Sequence, residues 1–87
     1  MTFNKKEIKK RIIYRSNYRG SKEMDFLMTS FTNKYIDSLN DNELVDLSNL
    51  LNLDDENLYS FNQGKKTSKE IPNNKVTNLF KLFELKK

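Results

Sequence analysis

Met24, Leu27, Met28, Phe31 and Tyr35 recur at intervals of three and four. That spacing lines one face of an α-helix and cannot be met by a strand, whose side chains alternate with period two. A core-facing helix is therefore predicted over about residues 21–37, and the rest of the chain must bury its apolar face. Ile8, Ile12 and Ile13 predict a thin apolar stripe on a first helix over about residues 4–18. In Leu39-Asn40-Asp41-Asn42-Glu43-Leu44, Asn40 can cap a third helix, Glu43 can reach back in a capping box, and Leu39 can staple onto Leu44. That helix continues through Leu47, Leu50 and Leu51. Leu53, Asp54 and Leu58 repeat the staple, so a short fourth helix carrying Tyr59 and Phe61 should begin at Asp54 and end before Gly64. Residues 62–72 read as a loop. A last helix carries Val76, Leu79, Phe80 and Phe83 on one face, with Pro72 near its first turn. Strand-like alternation, internal repeats and low-complexity segments are absent from the sequence. The prediction is an all-α, single-domain bundle over residues 1–87, built from about five short helices.

Size and composition then exclude several functions. At 87 residues with a hydrophobic fraction of 36%, the chain has little core to spare. A domain of this size buries only about 60–65% of the surface its unfolded chain exposes, which leaves no room for a deep substrate pocket. Cysteine is absent, so disulfides and thiolate metal sites are excluded. Histidine is absent as well, removing the commonest general base and metal ligand. Carboxylates remain, but a catalytic pair needs a cleft that holds the two at a set distance. A non-enzymatic monomer without bound metal or flavin is expected. No stretch approaches the ~20 apolar residues that span a bilayer, and the basic start lacks the apolar run of a secretory signal. The chain is expected to act where it is made, without membrane insertion.

Charge is distributed in three blocks. Residues 1–22 carry eight Lys/Arg and one Glu, residues 23–58 one Lys and nine Asp/Glu, and residues 59–87 seven Lys and two Glu. The blocks read either as helix faces with complementary charge or as a basic footprint for nucleic acid. The second reading draws on Lys5 to Arg19 interleaved with Tyr14 and Tyr18, which could contact phosphates and stack on bases. Against it stand the acidic middle and the lack of a recognisable binding motif. A phosphate-binding loop is not available among only two glycines.

All three arginines lie four residues apart, at Arg11, Arg15 and Arg19, and elsewhere positive charge is lysine. Positions four apart share one helix face. A guanidinium can bind a carboxylate or carbonyl with two parallel hydrogen bonds, which an ammonium cannot. Gly20 follows directly and Glu23 extends the spacing. Gly20 falls between two helix patterns, where it can adopt a left-handed backbone or let another chain approach closely. Glu23 equally suits the positive end of a helix dipole.

Arg11-Ile12-Ile13-Tyr14, Arg19-Gly20-Ser21-Lys22-Glu23, the helix through Phe31, Leu50-Leu51 and Asp54-Asp55-Glu56-Asn57-Leu58-Tyr59 together resemble the succinate dehydrogenase assembly factor 2 family, called the FAD assembly factor in bacteria. With Val76 and Leu79 the resemblance covers nearly the whole chain. It implies an assembly chaperone that binds the flavoprotein subunit of succinate dehydrogenase, and in some bacteria of fumarate reductase, and promotes covalent attachment of FAD to it. The flavin belongs to the client, and no cofactor is held stably by the chaperone. The resemblance implies partner contacts at Arg11, Tyr14, Arg15, Arg19, Gly20 and Glu23, with charge-assisted bonds from Arg19 and Glu23 and close backbone approach at Gly20. It implies the cytoplasm of a bacterium or the mitochondrial matrix of a eukaryote. Two positions depart from the family pattern: Ser21 stands where methionine is common, and Phe61 where tryptophan is common.

Overall fold

Four of the five α-helix starts are fixed by a short polar side chain. In the computed structural model, which describes residues 4–84, Asn4 caps helix α1 (Lys5–Asn17) by accepting from the Glu7 N–H. Ser21 caps α2 (Lys22–Tyr35) by accepting from the Met24 N–H. Asn40 caps α3 (Asp41–Leu51), and Glu43 reaches back to the Asn40 N–H at 2.8 Å, completing the expected capping box. Helix α4 (Asp55–Asn62) follows Asp54, and α5 (Lys75–Leu82) is capped by Asn74 in a second box with Thr77. The described residues form five α-helices and one short 3₁₀ turn at Ile36–Ser38, so the all-α expectation holds.

The differences from expectation are local. The second helix tightens into that 3₁₀ turn after Tyr35 instead of running regularly to residue 37. Asp54 precedes α4, but its carboxylate does not cap it; it accepts from Asn57 Nδ2 at 2.6 Å. Pro72 lies upstream of the first turn of α5, where its carbonyl accepts from Thr77 Oγ1. Ile13 faces water while Ile12 is buried and Ile8 packs at the core's edge, because only one side of α1 meets α2 and α3.

Phe31 is fully buried at the centre of the core. Its ring lies 5.1 Å from Phe80, 5.1 Å from Tyr35 and 5.3 Å from Phe83, in tilted or edge-on geometries that suit the aromatic quadrupole. Phe61 is partly buried and stacks on Phe80 at 6.3 Å, so it belongs to the same cluster. Leu44, Leu47, Leu50, Leu51 and Leu58 fill the other side.

The three charge blocks meet in space. Lys9 pairs with Asp37, Arg19 with Asp55, Lys69 with Asp54 and Lys75 with Glu43. Every one of these pairs joins a basic end segment to the acidic middle, as expected of helix faces with complementary charge.

Candidate functional site

The connection between α1 and α2, residues 18–21, is tied down from two directions. The Arg19 backbone N–H donates to Asp25 Oδ1 in the first turn of α2. The Arg19 side chain turns away from that helix toward the α3–α4 junction. Its Nε donates to Asp55 Oδ1 at 2.8 Å, Nη1 to the Leu51 carbonyl at 2.9 Å, and Nη2 to the Leu53 carbonyl at 2.7 Å. A weaker bond at 3.4 Å runs from Nη1 back to the Arg15 carbonyl. The guanidinium therefore satisfies carbonyls left open at the end of α3 and a carboxylate at the start of α4. With its side chain only 10% exposed, Arg19 works inside the chain, although its spacing with Arg11 and Arg15 suggests one shared surface.

Asp55 is shared between Arg19 and Gly20. Its second oxygen accepts from the Gly20 N–H at 2.7 Å. A Cβ built at position 20 would stand 2.7 Å from that same oxygen, closer than real Cβ atoms come. A side chain at position 20 would therefore have to displace the Asp55 carboxylate, so the group in close approach is Asp55 of the same chain. The left-handed alternative does not apply: among the described residues only Gly64 has positive φ, at 73°.

Around this clamp the remaining candidates point outward. Arg11 is exposed, Arg15 is half-buried, and Tyr14 is 64% exposed. Tyr14 and Tyr18 lie with ring centroids 4.7 Å apart, a tilted, exposed aromatic pair at the end of α1. Glu23 is exposed in the first turn of α2. Arg11, Tyr14 and Arg15 thus lie along α1 and Glu23 in the first turn of α2, on the two helices whose connection Arg19 ties down. Ser21, which departs from the family's methionine, supplies the cap of α2 that a methionine could not.

Asp55 is the residue that sequence reasoning missed. Nothing in the spacing links it to Arg19, 36 positions away. The available signal was an unpaired choice of arginine over lysine at position 19, which a fork-shaped set of acceptors explains.

No solved structure gives a match. Residues 10–84 match the Sdh5 family, described as "Flavinator of succinate dehydrogenase". Among curated proteins, the chain is 39% identical over 51 residues to succinate dehydrogenase assembly factor 2, mitochondrial, of Meyerozyma guilliermondii, covering 59% of this chain and 38% of that protein. It is 41% identical over 49 residues to the protein of the same name in Saccharomyces cerevisiae strain S288c, covering 56% of this chain and 30% of the relative. The matched part is therefore about a third of each relative's length. No helix among the described residues is long and apolar enough to cross a membrane. Since the family match spans most of its length, the chain belongs to the succinate dehydrogenase flavinator family, the family of the assembly factor 2 proteins.

Proposed function

We propose that this chain is a non-catalytic assembly chaperone that binds the flavoprotein subunit of succinate dehydrogenase and promotes covalent attachment of FAD to it. The family match over residues 10–84 carries this reading. The geometry supports it by exposing Arg11 and the Tyr14–Tyr18 pair on one side, and Glu23 on the other, of the helix connection that Arg19 and Asp55 tie down. In this reading Arg11, Tyr14, Arg15 and Glu23 face the partner. Arg19 and Gly20 act by fixing the junction through Asp55. The chain works by position: the partner and its flavin supply the chemistry, and binding holds them in a productive arrangement. It holds no flavin of its own and is a monomer before it meets the client. It would work in the mitochondrial matrix of a eukaryote, or in the cytoplasm of a bacterium.

The test is co-expression with the succinate dehydrogenase flavoprotein subunit of the same organism. Covalent flavin is read as fluorescence of the denatured subunit in a gel. The expected result is a marked rise in fluorescence when the chain is present. Equal fluorescence with and without it would contradict the proposal. A Glu23→Ala, Arg11→Ala double variant should lose the effect while keeping its melting temperature, because both side chains are exposed.

A further inference from the structure

We infer that the groove between α2 and α4 is a second attachment point for the flavoprotein, and that it takes an aliphatic or aromatic side chain lying next to an arginine or lysine. The inference rests on the function proposed above and names the chemistry of a further contact. Helix α2 packs mainly on α1, and α4 on α5, so the facing sides of α2 and α4 stay open. The opening holds about 690 Å³. Met24 and Leu27, both buried, form its base, while Phe26 and Tyr59 stand 59% and 49% exposed on its rims.

Three observations point to one occupant. Two aromatic rings bordering an apolar base form a surface that gains by being covered, and their faces also suit a cation. Glu23 lines this groove and is also among the residues proposed to meet the flavoprotein, so the two surfaces are continuous. Among the described residues Glu23 makes no ion pair. Among the described lining residues the charged groups are the carboxylates of Glu23 and Glu84 and the ammonium of Lys81, and the unpaired Glu23 suits a cation beside the apolar anchor. The neighbouring face of α1 is basic. A partner that covers both must therefore present acidic groups to α1 and a basic-apolar segment to the groove, and that alternation would fix the docking register.

The test places a photo-crosslinking p-benzoylphenylalanine at Phe26, and separately at Tyr59, in the full chain mixed with the flavoprotein subunit. Val45, on α3 and outside the groove, serves as the control position. The expected result is a crosslink from positions 26 and 59, but not 45, to an apolar flavoprotein residue within a few positions of an arginine or lysine. Phe26→Ala combined with Tyr59→Ala should weaken binding at least about tenfold without lowering the melting temperature. Crosslinks only to a second copy of the chain, or only within the chain itself, would overturn the inference. So would silent groove positions in a complex that forms normally, a result that leaves the proposed function standing. If the unmodified chain fails to bind the flavoprotein, the proposed function falls and this inference falls with it.

Discussion

Gly20 and Gly64 each sit in a connection between helices, and they are glycine for different reasons. Gly64 follows α4 with φ at 73°; its N–H donates to the Phe61 carbonyl, and the Lys65 N–H to the Ser60 carbonyl at 2.8 Å. That is the Schellman arrangement, in which a left-handed residue closes a helix end. Nothing lies within 4 Å of a Cβ at position 64, so its requirement is conformational. Gly20 has an ordinary backbone and an occupied neighbourhood, so its requirement is spatial. The surroundings differ in the same way. After Gly64 the loop is held mainly by Asn57, whose Oδ1 accepts from the Ser68 N–H, the Ser68 hydroxyl and the Lys69 N–H. The connection at Gly20 is held by a charged network joining the α1–α2 turn to the α3–α4 junction. The comparison teaches that a glycine between helices becomes informative only once its neighbours are known.

The largest effect should come from the aromatic core cluster, which neither connection enters. Phe31→Ala should cost about 3–5 kcal/mol, since the ring is fully buried among three others. Urea denaturation measures it; a loss under about 1 kcal/mol would show that the ring is not packed in the core.

Next comes the clamp against the loop anchor. Arg19→Ala removes every bond the guanidinium makes and leaves Asp55 with one partner, so about 2–4 kcal/mol is expected. Asn57→Ala should cost about 1–3 kcal/mol, with faster amide exchange concentrated at Ser68 and Lys69. Amide exchange that rises in the same segment for both variants would erase the distinction between the two connections.

Gly64→Ala should cost about 1–2 kcal/mol through its left-handed backbone, and Gly64→Asn less, because asparagine tolerates that region. Equal losses for the two would mean that conformation is not what position 64 demands.

The smallest effect is a pH dependence. The Asn40 N–H and then Lys75 hold the Glu43 carboxyl below its ordinary value of 4.5, and the Asn57 amide does the same for Asp54. A carboxylate whose folded value is depressed contributes stability above its ordinary value and loses it as pH falls through the folded one. The urea midpoint should therefore drop between about pH 5 and pH 3, and Glu43→Gln should flatten that slope. An unchanged slope would remove Glu43 from the account.

Much of the fold was legible because periodicity and capping are local. The stripe from Met24 to Tyr35 shows in the spacing of one segment, and the Asn40–Glu43 box joins residues three positions apart. What escaped depends on distant partners. Arg19 could be singled out as an arginine, but its destination at Leu51, Leu53 and Asp55 is set by how α3 and α4 return toward the first turn. Ile13 follows the stripe of α1 and still faces water, because a short helix flanked on one side has room for one apolar row only. Gly20 showed that something comes close, without showing that it comes from within the chain.

The central claim is that the Asp55 carboxylate, joining Arg19 to Gly20, is what makes position 20 intolerant of a side chain. A double-mutant cycle between Gly20→Ala and Asp55→Ala, read by urea denaturation, tests it most directly. The account predicts that Gly20→Ala destabilises the wild-type chain but costs at least about 1 kcal/mol less once Asp55 is alanine, because the added methyl then meets open space. Additivity within about 0.3 kcal/mol would contradict it, leaving the glycine to be explained without Asp55.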